Sequence, residues 1–138
     1  MDFDHLDPTT KVKSLNLLRH APSMLHIENE VNKCEILCAN CHRIREASCR
    51  TDMYASKVPQ RIRNRNLILN AKNVSCVDCG KFFGPSVMDF DHVRGQKLGS
   101  ICQCAARFGK LKLMEEIQKC DVICAVCHRI RTHDRTVP

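Results

Sequence analysis

Met88-Asp-Phe-Asp-His92, followed downstream by Lys119-Cys-Asp-Val-Ile-Cys-Ala-Val-Cys-His-Arg-Ile-Arg131, decides the reading of this chain because it occurs twice. The other copy is Met1-Asp-Phe-Asp-His5 with Lys33-Cys-Glu-Ile-Leu-Cys-Ala-Asn-Cys-His-Arg-Ile-Arg45. Each copy sets an Asp-His pair against a Cys-x-x-Cys-His. Soft thiolates suited to structural zinc therefore stand beside harder oxygen and imidazole ligands suited to a catalytic divalent cation. That combination points toward hydrolysis of nucleic acid.

The repeat runs through whole modules. Aligning Lys11 with Lys97 brings Ser14 onto Ser100, Leu25 onto Leu111, Glu30 onto Glu116, Val31 onto Ile117 and Cys34 onto Cys120. The first copy has one more residue between the Asp-His pair and this lysine, where Leu6-Asp-Pro-Thr-Thr10 replaces Val93-Arg-Gly-Gln96. Both versions carry turn formers, so the difference falls in a loop. The division expected is a first repeat over 1–49, a basic helical connector over 50–75 and a second repeat over 76–138.

Two small lobes within 138 residues have limited cores and need a staple. The 11 cysteines are an odd number, fall partly in Cys-x-x-Cys pairs and follow no stretch that reads as an export signal. Metal in a reducing intracellular compartment, cytoplasm or nucleus, is expected in place of disulfides. No apolar run approaches membrane-spanning length, so a soluble protein without a membrane partner is expected. A formal charge of +7 fits an anionic partner without identifying one.

In the second copy, Val87–Asp91 reads as a short strand ending at His92, and Asp121–Ile123 as a second strand. Leu111, Met114 and Ile117 read as the apolar face of a helix, with 97–108 ambiguous. Cys124-Ala-Val-Cys127 reads as a metal knuckle, and a final helix begins at His128. Pro59 near the start of a basic run predicts a helix there.

Cys76-Val-Asp-Cys79 with Cys124-Ala-Val-Cys127 supplies four thiolates, enough for a closed tetrahedral zinc site. Asp91 and His128 are then free to converge on Mg²⁺ or Mn²⁺, with positions left for water and a phosphate oxygen. His92, which titrates near neutral pH, is the candidate general base. Asp4, His5 and His42 repeat the triplet in the first copy.

The order Asp-His, insertion, Cys-x-x-Cys-His behind an upstream Cys-x-x-Cys resembles the HNH endonuclease superfamily, and within it small phage and viral HNH proteins. Paired knuckles of this kind are also similar to phage junction resolvases. The resemblance implies an α+β chain of two tandem zinc-stabilised ββα-metal modules with helical insertions. It also implies His92 and His5 as bases, Asp91, His128, Asp4 and His42 as ligands of the catalytic cation, and Cys76, Cys79, Cys124 and Cys127 as zinc ligands. The first copy lacks the upstream knuckle and offers only Cys38 and Cys41, to be completed by Cys49, Cys34, water or a partner chain, or left without metal. Asn40 stands where the second copy has Val126, and the family often carries asparagine at that position. Cys34 and Cys120 read as buried packing groups, and so do Cys102 and Cys104.

Arg43, Arg45, Arg94, Lys97, Arg129, Arg131 and Arg135 flank the candidate sites, and Arg61, Arg63 and Arg65 lie in the connector. Arginine forks match phosphate geometry. With one tyrosine and five phenylalanines there is little material for stacking bases. Double-stranded or branched DNA bound through its phosphates is the expected partner, with the two repeats as an internal pseudo-dimer, a further homo-oligomer being compatible with the sequence. The rival expectation is a zinc-stabilised nucleic-acid-binding or structural viral protein that keeps the fold without the activity.

Overall fold

The computed structural model describes residues 1–12, 23–49 and 58–137, with Cys49 described by its backbone alone. The described residues form six α-helices and two two-stranded antiparallel sheets, a mixed α+β chain. They divide into two compact units, Met1–His42 and Arg43–Pro138, and the boundary falls inside a helix.

In the first unit β1 (Asp2–His5) pairs with β2 (Cys34–Leu37), with Asp4 opposite Glu35 and His5 opposite Cys34. A single 3-10 turn at Pro8–Thr10 follows β1, its start fixed by Asp7, which accepts from the Thr9 amide. Helix α1 (Met24–Val31) leads into β2, and α2 (Ala39–Cys49) begins directly after it.

The second unit repeats the order. Helix α3 (Pro59–Ala71) comes first, then β3 (Met88–His92), α4 (Ile101–Arg107), α5 (Lys110–Gln118), β4 (Cys120–Cys124) and α6 (Ala125–Thr136). The β3–β4 register runs from Met88 opposite Cys124 to His92 opposite Cys120. Each end of this hairpin has its own apolar cluster. Cys76, Val87, Met88, Ile123, Cys124 and Cys127 gather at one end. Ile101, Cys104, Leu113 and Cys120 gather at the other, with Phe90, Leu67 and Ile68 against them.

The ambiguous stretch resolves into α4 and α5. Ser100 and Gln103 form a reciprocal capping box at the start of α4, which satisfies two helix-end amides at once. The apolar face expected on α5 is corrected at two of its three positions: Ile117 packs against the core, but Met114 is exposed. Leu111 is 77% exposed, while Leu113 and Glu116 are wholly buried. The inward stripe carries a carboxylate because Glu116 finds three partners inside. It accepts from the Leu98 amide at 2.9 Å, contacts His92 Nε2 at 3.0 Å and accepts from Lys119 Nζ at 2.6 Å. An apolar-periodicity rule cannot place a charged residue inward.

The basic run does form a helix, with Pro59 in its first turn. From there on, the stretch expected as a connector is packed into the second unit. Buried Asn64 donates through Nδ2 to the Ala105 and Phe108 carbonyls at 2.8 and 3.0 Å, tying α3 to the end of α4. Residues 50–57 lie outside the described residues.

Burying an ionised carboxylate is tolerated only when its oxygens are fully partnered. Glu116→Ala removes the acceptor shared by the Leu98 amide, His92 and Lys119 and empties a wholly buried site. Urea unfolding of the zinc-loaded protein is expected to show a loss of about 2–4 kcal/mol for the second unit. A loss below about 0.5 kcal/mol, the range of ordinary surface substitutions, contradicts this account of α5.

Candidate metal centre and catalytic residues

Cys76 and Cys79 lie in the turn before β3, Cys124 closes β4 and Cys127 sits in the first turn of α6. Their four sulfur atoms all lie within 4.8 Å of one another. Sulfurs on one tetrahedral zinc are about 3.8 Å apart, so the cluster needs only a small contraction around an ion. The first knuckle is a tight reversal. The Cys76 amide donates to the Lys81 carbonyl at 3.0 Å, the Gly80 amide donates back to Cys76 at 2.9 Å, and Gly80 adopts φ +71°.

The thiols themselves favour a cation. Burial pushes the Cys76 thiol up, but the amides of Cys79, Cys124 and Asp78 outweigh it and bring it down to about 7. Burial drives Cys127 strongly upward, assisted by the three neighbouring thiols. One thiolate forms readily and the next is opposed, a conflict that a bound zinc ion resolves.

No equivalent gathers in the first unit. Cys38 and Cys41 form a knuckle, with the Cys41 amide 3.4 Å from Cys38 Sγ, but among the described residues no further ligand joins them in a metal-sized group. Cys34 does not complete it: its Sγ donates to the Glu30 carbonyl at 3.3 Å. The Cys49 side chain lies outside the described residues. Cys120 is buried, as expected of a packing group, with its Sγ 3.5 Å from the Glu116 carbonyl. Cys104 is also buried, whereas Cys102 is exposed and corrects the packing role expected for it.

The imidazoles occupy two opposite arrangements, each present in both units. His128 turns Nδ1 to Asp89 Oδ2 at 3.0 Å and Nε2 toward Asp91 Oδ1 at 3.9 Å. His42 does the same with Asp2 Oδ2 at 3.2 Å and Asp4 Oδ1 at 3.5 Å. Strand alternation explains the geometry, since residues two apart share a face and meet the helix that follows the second strand. The other pair of histidines turns Nε2 to a buried glutamate: His92 to Glu116 Oε1 at 3.0 Å and His5 to Glu30 Oε1 at 2.8 Å. His92 follows Asp91 and so leaves the hairpin on the opposite face, toward α5.

These carboxylates fix the tautomers. Burial opposes the charge on Glu116, but Lys119, the Leu98 amide and His92 prevail and hold it at about 2. Lys33 and His5 hold Glu30 at about 2. Both are acceptors only, so in a neutral imidazole the proton sits on Nε2 and Nδ1 is the bare nitrogen. Asp89 is likewise lowered, Arg43 and His128 outweighing its burial. A neutral His128 would therefore carry its proton on Nδ1 and present Nε2, the form that binds a metal.

Asp2, Asp89, Glu30 and Glu116, which contact these imidazoles, were not singled out as candidate site positions. The signal was the repeat itself, which preserves all four.

Four of the basic residues are held by aspartates of the chain. Arg94 holds Asp121 Oδ1 through both terminal nitrogens at 2.8 Å, and Arg43 Nη1 lies 2.7 Å from Asp89 Oδ1. Arg131 bridges Asp78, Asp91 and Asp121. Arg135 forks onto both oxygens of Asp91 at 2.8 Å. Arg45, Arg61, Arg63, Arg65, Lys97 and Arg129 are exposed. Asn40 is buried, and its counterpart Val126 packs against the cluster at the knuckle end of the second hairpin.

Among the described residues no helix is long and apolar enough to cross a membrane. No family model, curated protein or solved structure matches the chain.

The cysteine cluster predicts about one tightly held zinc ion per chain, contributed by the second unit. Elemental analysis of purified protein checks it, and Cys124→Ser is expected to lose the metal and unfold that unit. Folded, zinc-free wild-type protein contradicts it.

Proposed function

We propose that the chain is a metal-dependent endonuclease that hydrolyses phosphodiester bonds of nucleic acid by an HNH-type mechanism. The observation that carries this reading is the recurrence in both units of two imidazole–carboxylate pairs, one engaged through Nδ1 and the other through Nε2. Packing alone asks for no histidine at these positions, and still less for the same hydrogen-bond pattern twice.

Asp91 Oδ1 and His128 Nε2 face each other 3.9 Å apart, and closing by about 1 Å would make them adjacent ligands of one hard cation at about 2.1 Å each. Mg²⁺ or Mn²⁺ held there, or between Asp4 and His42, would supply positive charge against the phosphate and leaving oxygens. Asp89 and Asp2 keep the ligand imidazoles turned with Nε2 outward. His92 and His5 take a proton from water at Nδ1. The ionised Glu116 and Glu30 on the far nitrogen stabilise the imidazolium that results. Zinc held by Cys76, Cys79, Cys124 and Cys127 would fix the start of α6, and with it His128, against the hairpin.

The charge of +7, the exposed arginines and the scarcity of aromatic side chains favour a partner bound through its phosphates, double-stranded or branched DNA. A second reading, a zinc-stabilised nucleic-acid-binding or structural viral protein without activity, is favoured in the second unit by one observation. Asp91 there is held by two arginines.

Plasmid nicking with and without Mg²⁺ tests the proposal. His5→Ala with His92→Ala is expected to lower the rate by about 100-fold or more while zinc content and DNA binding stay intact. The single substitutions show which unit cuts. Full activity in the double variant, or metal-independent nicking, overturns the mechanism.

A further inference from the structure

Asp91 is asked to do two things at once. Its Oδ1, the oxygen facing His128 Nε2, also accepts from Arg135 Nη1 at 2.8 Å, and its Oδ2 accepts from Arg135 Nη2 and from Arg131 Nη1, both at 2.8 Å. The carboxylate itself is 4% exposed. Two guanidinium groups thus cover the oxygens that a cation would need, and like charges do not share one small carboxylate without cost.

The two arginines differ in how firmly they are held. Arg131 is 23% exposed and bound to Asp78 and Asp121 as well as Asp91. Asp78 lies between the two cysteines of the first knuckle, so Arg131 is fixed to the zinc scaffold. Arg135 is 50% exposed and lies in the last turn of α6, and its ion pair and hydrogen bonds go to Asp91. Its fork has the geometry that also suits a phosphate. The position aligned with Arg135 in the first copy is Cys49, which carries no guanidinium.

We propose that Arg135 is a latch on the second unit: it occupies Asp91 in the free protein, excludes the divalent cation, and is drawn off by a nucleic-acid phosphate, so that cation and substrate bind together. Arg131 stays in place and keeps Asp91 aimed at His128. The latch rests on the reading of Asp91 and His128 as cation ligands. It makes the second unit a site that is charged for chemistry only when substrate is present, and it keeps a stray hydrolytic cation out of the free protein.

An opposing charge beside a carboxylate lowers its affinity for a proton by about ten- to thousandfold, and the same competition acts on a metal ion.

The test is Mn²⁺ binding to zinc-loaded, full-length protein, followed by electron paramagnetic resonance and by broadening of the His128 imidazole signals. Arg135→Ala is expected to bind Mn²⁺ at His128 at least about tenfold more tightly than wild type. Arg135→Lys, which keeps the charge and loses the fork, is expected to fall between them. A short DNA duplex with non-hydrolysable phosphorothioate linkages is expected to tighten Mn²⁺ binding in wild type and to have little further effect in Arg135→Ala. Equal Mn²⁺ affinity in wild type and Arg135→Ala overturns the latch. So does tightening in the variant with no response of wild type to duplex, because phosphate then does not release the arginine. If neither protein binds Mn²⁺ at His128, even with duplex, the cation-site reading fails and the latch with it. Nicking by a protein that passes the Mn²⁺ test is a separate result, which bears on the nuclease reading alone.

Discussion

A buried glutamate holds each insertion to its hairpin. Glu116 has no exposed surface, yet it is ionised, because the Leu98 amide, His92 and Lys119 converge on its two oxygens. Lys119 then reaches on to the Gln96 carbonyl at 2.9 Å, fastening the loop after β3. Glu30 repeats the arrangement with the Val12 amide, His5 and Lys33, and Lys33 reaches the Thr10 carbonyl at 3.2 Å. In lobes with so little apolar core, one satisfied buried charge sets the register of the insertion, the end of the strand and the orientation of a histidine together. Arg94 adds to the same corner, since its side chain spans the Gln118 and Cys120 carbonyls and Asp121.

The cysteine cluster fixes the opposite end of the second hairpin. Cys124 closes β4 and opens α6, so a zinc ion there would set the angle at which α6 leaves the sheet. That angle decides whether His128 meets Asp89 and Asp91. Arg131 carries the constraint further, from Asp78 in the knuckle to Asp91 on the strand. Scaffold and candidate site are therefore one electrostatic network in this unit. The first unit builds the same His42 geometry, while among the described residues only Cys38 and Cys41 form its knuckle.

Much of this was legible in the sequence, for definite reasons. Metal knuckles are local, so Cys76-x-x-Cys79 and Cys124-x-x-Cys127 announced a four-sulfur cluster from their spacing alone. The hairpin strands, short and bracketed by turn residues, were also readable to within a residue. What stayed hidden was non-local pairing. Nothing in the periodicity of α5 distinguishes Glu116 from its exposed neighbour Glu115, and only the fold brings His92 to it. For the same reason Arg94 and Arg131 read as phosphate ligands, whereas the fold spends both on aspartates of the chain itself. Arg61 and Arg63 do lie exposed on the basic helix, while Asn64, next to Arg63, turns inward, a reversal that a run of charges conceals.

The claim on which the functional account turns is that each unit holds one imidazole as a ligand and another as a base, told apart by tautomer. Long-range proton–nitrogen NMR spectra of the zinc-loaded protein read this directly for every histidine near neutral pH. The account predicts His42 and His128 in the Nδ1–H form with Nε2 bare, and His5 and His92 in the Nε2–H form with Nδ1 bare. Finding all four in one tautomer, or the two groups reversed, would contradict it.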